Sequence, residues 1–286
     1  MTSNSSITTA KTLIVHAEND VTYAYRILGA SKGEVPLVLL QHFRGNLDNW
    51  DPALVDALAR EREVIVFNNT GVASSTGTIP DTVETMSDDA AAFLTALGLA
   101  KVDLFGFSLG GFIAQHLALT KPEIVRRLIL AGTGPKGGPG MAHWSEDVVS
   151  HLVTPDAPGA EDILAVFYAP TGESQMAGGA ALGRIFTRSE GRDIDVSTGT
   201  KDSQYYGAVL SWGRPDWDAV QALTRIQQPT LILQGDNDVM IPTAASHLMA
   251  GLIPGARIRI FPNASHGSIF QYAPEAAAET LSFLAS

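Results

Sequence analysis

An α/β architecture, with a mostly parallel sheet wound by helices on both faces, follows from how apolar residues are grouped along these 286 residues. Eight short runs rich in Val, Ile and Leu recur, and most lack the polar alternation of a strand with one wet face. Such runs suit a parallel sheet covered on both sides. Helix-sized segments separate the later runs, as βαβ units require. Hydrophobic residues make up 45% of the chain and charged residues 17%, below the roughly 25% charged content of an average soluble protein, so the apolar surface suffices for a large core.

The first two runs, Leu13 to Val15 and Val21 to Ile27, flank the turn-forming cluster Glu18, Asn19 and Asp20 and read as an antiparallel hairpin. The strand Leu37 to Leu40 comes next, then a helix over Pro52 to Arg60 that a proline opens. The strand Val64 to Phe67, the helix Asp81 to Leu97, the strand Val102 to Phe105, the helix Leu109 to Leu119 and the strand Arg127 to Ala131 continue the rhythm. It breaks between about Gly134 and Pro229, a stretch that opens on GTGPKGGPG, carries Trp144, Trp212 and Trp217, and shows helical fragments without strand alternation. The pattern resumes with the strand Leu231 to Leu233, the helix Pro242 to Leu252, the strand Ile258 to Phe261 and the helix Pro274 to Leu284. Residues 1–133 and 229–286 therefore read as one discontinuous core, and residues 134–228 as a cap insertion. Ligands of open α/β sheets bind beyond the carboxyl ends of the strands, so a cap there would shape the pocket.

Composition excludes several function classes. With 19 Lys and Arg against 30 Asp and Glu, the formal charge is −11, which opposes binding to a phosphate backbone or an anionic membrane surface. There are no cysteines, hence no disulfide, thiolate metal site or cysteine nucleophile. No HExxH or comparable cluster supports a metal. The start, MTSNSSITTAKTLIV, has neither the basic nor the apolar region of a signal peptide, and no run reaches the roughly 20 apolar residues of a spanning helix. The expectation is a soluble, cytoplasmic protein acting on a small molecule. Its oligomeric state is not legible in the sequence.

The sharpest chemical signal is Gly106-Phe107-Ser108-Leu109-Gly110, a GxSxG pattern between a strand and an apolar helix. A tight turn there strains the serine and lifts it above the sheet at a helix N-terminus, where the Leu109 amide can meet an oxyanion. A serine hydroxyl needs a base, and of seven histidines His266 stands out, because it follows the last strand at the carboxyl edge of the sheet. His116, His16 and His247 read as packing or surface residues, and His143 and His151 as cap residues. The carboxylate that orients the base is Asp238, in the loop GDNDVMIP after Leu231 to Leu233, with Asp236 as the competing choice. Gly132 to Gly137 formally matches GxGxxG, but the following Gly138, Pro139 and Gly140 oppose the helix a dinucleotide needs, so it reads as a cap hinge.

The elbow GFSLGG, the acid loop GDNDVMIP, the histidine loop NASHG and the chain order Ser, Asp, His resemble the α/β-hydrolase family over nearly the whole chain. The resemblance implies an eight-stranded sheet with one antiparallel strand near its start, a helical cap after the sixth strand, and no cofactor. It also implies a second oxyanion donor in the loop after the third strand, here Gln41-His42-Phe43-Arg44-Gly45-Asn46. Aligned on Gly45, Phe43 supplies the amide, while Gln41 and His42 replace the family's usual His-Gly. After the fourth strand, Asn69 to Ser75 likewise replace a usual acid, arginine and two glycines.

The activity expected from this constellation is hydrolysis of a small, uncharged carboxylic ester, or of a lactone, thioester or amide, through an acyl-enzyme on Ser108. Candidate substrate contacts are His42 and the cap aromatics Trp144, Phe167, Tyr168, Tyr205, Tyr206 and Trp212, each of which can equally be packing. Two other readings use the same fold: a cofactor-free haloperoxidase or perhydrolase, whose elbows are similar to GFSLGG, and a small-molecule receptor without turnover.

Overall fold

A computed structural model describes residues 6–31, 33–193 and 199–286; the first five residues of the polar N-terminal stretch lie outside them. Eight strands form one sheet: β1 (Leu13–His16), β2 (Thr22–Leu28), β3 (Leu37–Leu40), β4 (Val64–Phe67), β5 (Val102–Phe107), β6 (Val125–Ala131), β7 (Thr230–Gly235) and β8 (Arg257–Phe261). Their spatial order is β1-β2-β4-β3-β5-β6-β7-β8. β2 runs antiparallel to both β1 and β4, and every other neighbouring pair is parallel.

Position in the sheet explains the sequence patterns. Every residue of β3, β4, β5 and β7 is buried, the condition under which a strand needs no polar face. At the two edges, β1 and β8 alternate between more and less exposed positions, because an edge strand keeps a side toward water. The helices α1 (Pro52–Ala59), α2 (Val83–Ala96) and α3 (Leu109–Thr120) connect the central strands. Asp51 caps α1 by accepting from the Ala53 amide, and Thr82 caps α2 by accepting from Thr85.

Between β6 and β7 lie only helices among the described residues: α4 (Glu146–Leu152), α5 (Ala160–Phe167), α6 (Gly172–Ile185), α7 (Gly199–Lys201), a π-helical stretch (Asp202–Val209), α8 (Leu210–Trp212) and α9 (Trp217–Gln221), followed by a short 3-10 turn. After β7 come α10 (Thr243–Leu252), α11 (Ser268–Gln271) and α12 (Ala273–Ala285). α1 packs on α12 and α2 on α3, two helical layers flanking the sheet. No helix among the described residues is long and apolar enough to cross a membrane. Gly132 and Gly137 take left-handed backbone angles and no helix begins before Glu146, so the GxGxxG stretch is an irregular connection.

Candidate active site

Ser108 is the hinge between β5 and α3, with φ 55° and ψ −117°. A non-glycine residue held there costs on the order of 1–3 kcal/mol and persists only when its surroundings fix it. They do so in three ways. The Ser108 amide donates to Ala131 O at 2.8 Å, and its carbonyl accepts from the Gly111 amide at 2.8 Å and from Thr133 Oγ1 at 2.9 Å. The flanking glycines are required by space: a Cβ at position 106 would stand 2.5 Å from Gly110 O, and one at position 110 would stand 2.1 Å from Leu40 O. The chain can turn this sharply only because both lack side chains.

Asp238 and His266 form a buried pair, with His266 Nδ1 2.8 Å from Asp238 Oδ2. Both carboxylate oxygens have further partners. Oδ1 accepts from the amides of Met240 at 2.8 Å and Ile241 at 2.9 Å, and Oδ2 from Gln234 Nε2 at 3.2 Å. A carboxylate so held is fixed in place and accepts the hydrogen bond from Nδ1–H, leaving Nε2 of the imidazole as the free acceptor. Asp236 instead accepts from Asn237 Nδ2 and the Ala264 amide, which makes it a turn residue. The His266 ring stacks on Phe107 and meets Phe167 edge-on, both with centroids 5.2 Å away. Ser108 and His266 line one cavity of about 310 Å³. Among the described residues no hydrogen bond joins the Ser108 hydroxyl to His266; contacts of this kind are often long before substrate is bound.

The loop after β3 closes the other side. Gln41 braces it from within: its Oε1 accepts from the His42 amide at 2.9 Å and its Nε2 donates to Asn46 O at 3.0 Å. Arg44, at φ 60°, is tied to the segment between β6 and β7, its amide donating to Gln204 Oε1 at 2.7 Å and its guanidinium to the carbonyls of Leu152, Pro155 and Asp156. The amides of Phe43 and Leu109 have no protein acceptor among the described residues. Beside them, His42 Nδ1 lies 2.7 Å from Phe43 O. Burial pushes the His42 imidazole down to about 4; the bond to Phe43 works against that shift and the nearby His266 adds to it.

A family model described as "alpha/beta hydrolase fold" matches residues 35–272. The chain belongs to the α/β-hydrolase family. A poly(3-hydroxyalkanoate) depolymerase from Ectopseudomonas oleovorans is 30% identical over 226 residues, which cover 79% of this chain and 76% of the relative. A putative carbamate hydrolase RutD from Pseudomonas savastanoi is 24% identical, covering 82% and 88%. Among solved structures, an α/β-hydrolase fold protein from Chitinophaga pinensis is 37% identical with a TM-score of 0.90, covering 99% of this chain and 100% of that one.

On this α/β-hydrolase frame the residues singled out in the sequence divide into two groups. Ser108, His266, His42, Phe43, Phe167 and Tyr168 line the same cavity, and Leu109 follows Ser108 at the start of α3. Trp144, Tyr205 and Trp212 do not line it. Trp144 packs between Phe43, at 5.3 Å, and Tyr205, at 4.7 Å, while Trp212 stacks on Phe112 and donates to Gly134 O. Tyr206 is exposed. Trp144 and Trp212 are thus buried where the β6–β7 segment meets Phe43 and Phe112, away from the cavity. Leu182, Ile185 and Phe186, at the end of α6, complete the apolar wall. Sequence reading missed them because nothing in α6 alone marks which face meets the cavity.

Proposed function

We propose that the chain is a serine hydrolase of small carboxylic esters, with Ser108 as nucleophile, His266 as general base and Asp238 as the residue that orients and charges the base. The observation that carries this reading is the buried Asp238–His266 pair facing, across one cavity, a serine held in a strained strand-to-helix turn. His266 Nε2 takes the hydroxyl proton as Ser108 attacks the carbonyl carbon. The bond to the leaving alcohol then breaks as His266 returns that proton, and water activated by the same ring frees the acyl group. The amides of Leu109 and Phe43 are the donors for the oxyanion; one such donor contributes about 2.7–4 kcal/mol to transition-state stabilisation.

Relatives named for depolymerase and carbamate hydrolase activity support attack on an activated carbonyl. The cavity volume, at the small end of ligand sites, and its apolar wall of Ile163, Phe167, Leu182 and Ile185 suit a short apolar acyl group. In this reading residues 134–228 are the cap that supplies that wall.

Wild-type protein should cleave short-chain p-nitrophenyl esters and lose that activity, together with labelling by a reactive phosphonate, in Ser108→Ala; His266→Ala should be inactive on the same esters. Ester binding without turnover, or full activity in either variant, would reject the reading.

A further inference from the structure

The cavity holds a second imidazole that this chemistry does not use. His42 Nδ1 lies 2.7 Å from the carbonyl oxygen of Phe43. That oxygen can only accept, so Nδ1 carries the hydrogen. Burial keeps the ring uncharged until pH falls to about 4, so its other nitrogen, Nε2, bears a lone pair at neutral pH. The ring cannot easily turn away. Phe107 and Phe167 meet it edge-on at 5.3 and 5.5 Å, and the same two phenyl rings hold His266.

Other polar side chains on the cavity wall have work elsewhere. Arg44 donates to the backbone carbonyls of Leu152 and Pro155, Arg192 to that of Ile185, Asn46 accepts from the Asp48 amide, and Asn49 accepts from the Asn46 amide. His42 Nε2 has no protein donor among the described residues, although the residue lines the cavity. It stands one residue before Phe43, whose amide is the oxyanion donor of the reading above, so a group that reaches Nε2 lies close to the scissile carbonyl.

We propose that His42 Nε2 is a specificity-determining acceptor, and that the preferred substrates carry a hydroxyl or N–H donor on the acyl chain within two or three bonds of the scissile carbonyl, as in 3-hydroxyacyl esters. The proposal rests on the serine-hydrolase reading and narrows its substrate class. An acceptor without a protein donor loses its water when an acyl chain enters, and a chain without a donor leaves it unpaired. Sites built around such a bond discriminate against analogues that lack it.

The test compares p-nitrophenyl 3-hydroxybutyrate with p-nitrophenyl butyrate in wild type, His42→Asn and His42→Gln. In H42N the amide nitrogen takes the place of Nδ1 and keeps the bond to Phe43 O, but nothing replaces Nε2. In H42Q an amide oxygen reaches the place of Nε2. Wild type should prefer the hydroxy ester in kcat/KM by about tenfold, the worth of one hydrogen bond of roughly 1.4 kcal/mol. H42N should bring that ratio close to one, and H42Q should retain part of it.

A wild-type ratio near one, or an undiminished ratio in H42N, overturns the proposal. Calorimetry of both esters on Ser108→Ala and Ser108→Ala/His42→Asn proteins reads the same preference without turnover. A preference in the first that vanishes in the second supports the acceptor role, and equal affinities in the first reject it. Failure of wild type to cleave either ester or to react with phosphonate would count against hydrolysis, while the binding comparison still decides the role of His42.

Discussion

The His42 imidazole takes up a proton near pH 4 in the folded protein, but near its ordinary value of about 6.5 once unfolded. Between these values the unfolded chain binds the extra proton, so stability present above pH 6.5 is lost as pH falls toward 4, by about 3 kcal/mol over the whole window. His42→Asn has nothing to titrate there. Urea midpoints measured at pH 7 and pH 4.5 should therefore fall less in H42N than in wild type, the carboxylates contributing equally to both; parallel losses would show that burial does not hold this ring neutral. That Ser108, His266 and Asp238 lie near one another was legible in the sequence, because each sits in a short motif directly after a strand and strand order carries all three to the carboxyl end of the sheet. The free face of His42 was not legible, since it depends on which ring nitrogen meets the Phe43 carbonyl.

Among the elements, the β5–α3 connection is the most constrained. The Cβ of an alanine at position 110 would meet a backbone oxygen of the neighbouring strand at 2.1 Å, and neither group is the flexible end of a side chain. Gly110→Ala should lower stability by about 1–3 kcal/mol, as overpacking does, and reduce ester turnover by tilting α3 and the Leu109 amide. Calorimetric melting and kcat on one ester check both; an unchanged melting temperature and rate would mean that strand and helix separate freely. All eight strands and five of the six α-helices outside the β6–β7 segment were readable from apolar runs, with ends displaced by a few residues; α11, at four residues, is too short to show a period. β5 runs on through Gly106 and Phe107, residues that read as part of the turn, since the strand pairs with β6 up to the serine itself.

The segment between β6 and β7 is joined to the rest of the fold by charge as well as by apolar packing. Asp51, fully buried, caps α1 and also takes both Nε and Nη2 of Arg184 in α6, at 2.8 and 2.6 Å. Nearby, Asp48 accepts from Arg26 at 2.6 Å and from the Asp193 amide at 2.6 Å, with Arg188 Nε 3.8 Å away. Burial alone would raise the Asp48 carboxyl, but the Arg26 bond and the other donors hold it below its ordinary value. Arg188 in turn donates to the carbonyls of Ile7 and Ala10, so it fastens the N-terminal segment to the stretch after α6. Asp51→Ala removes a helix cap and leaves the part-exposed Arg184 without its carboxylate, and should cost about 1–2 kcal/mol in urea denaturation and raise KM for esters. A loss below about 0.5 kcal/mol would show that the Asp51–Arg184 pair contributes nothing to holding α6 against α1. None of these pairings was visible in the sequence, where Asp51 and Arg184 are far apart and carry no motif.

The stretch from Gln41 to Asp51 thus bears, on one short piece of backbone, His42 and Phe43 of the cavity wall and, at Arg44, Asp48 and Asp51, three grips on the segment between β6 and β7. Trimming Leu182 or Ile185 would enlarge the acyl compartment and leave those grips intact. Laboratory evolution toward bulkier esters therefore has a route that spares the rate, whereas changes at Arg184 or Arg188 would disturb affinity and turnover together, whatever the substrate.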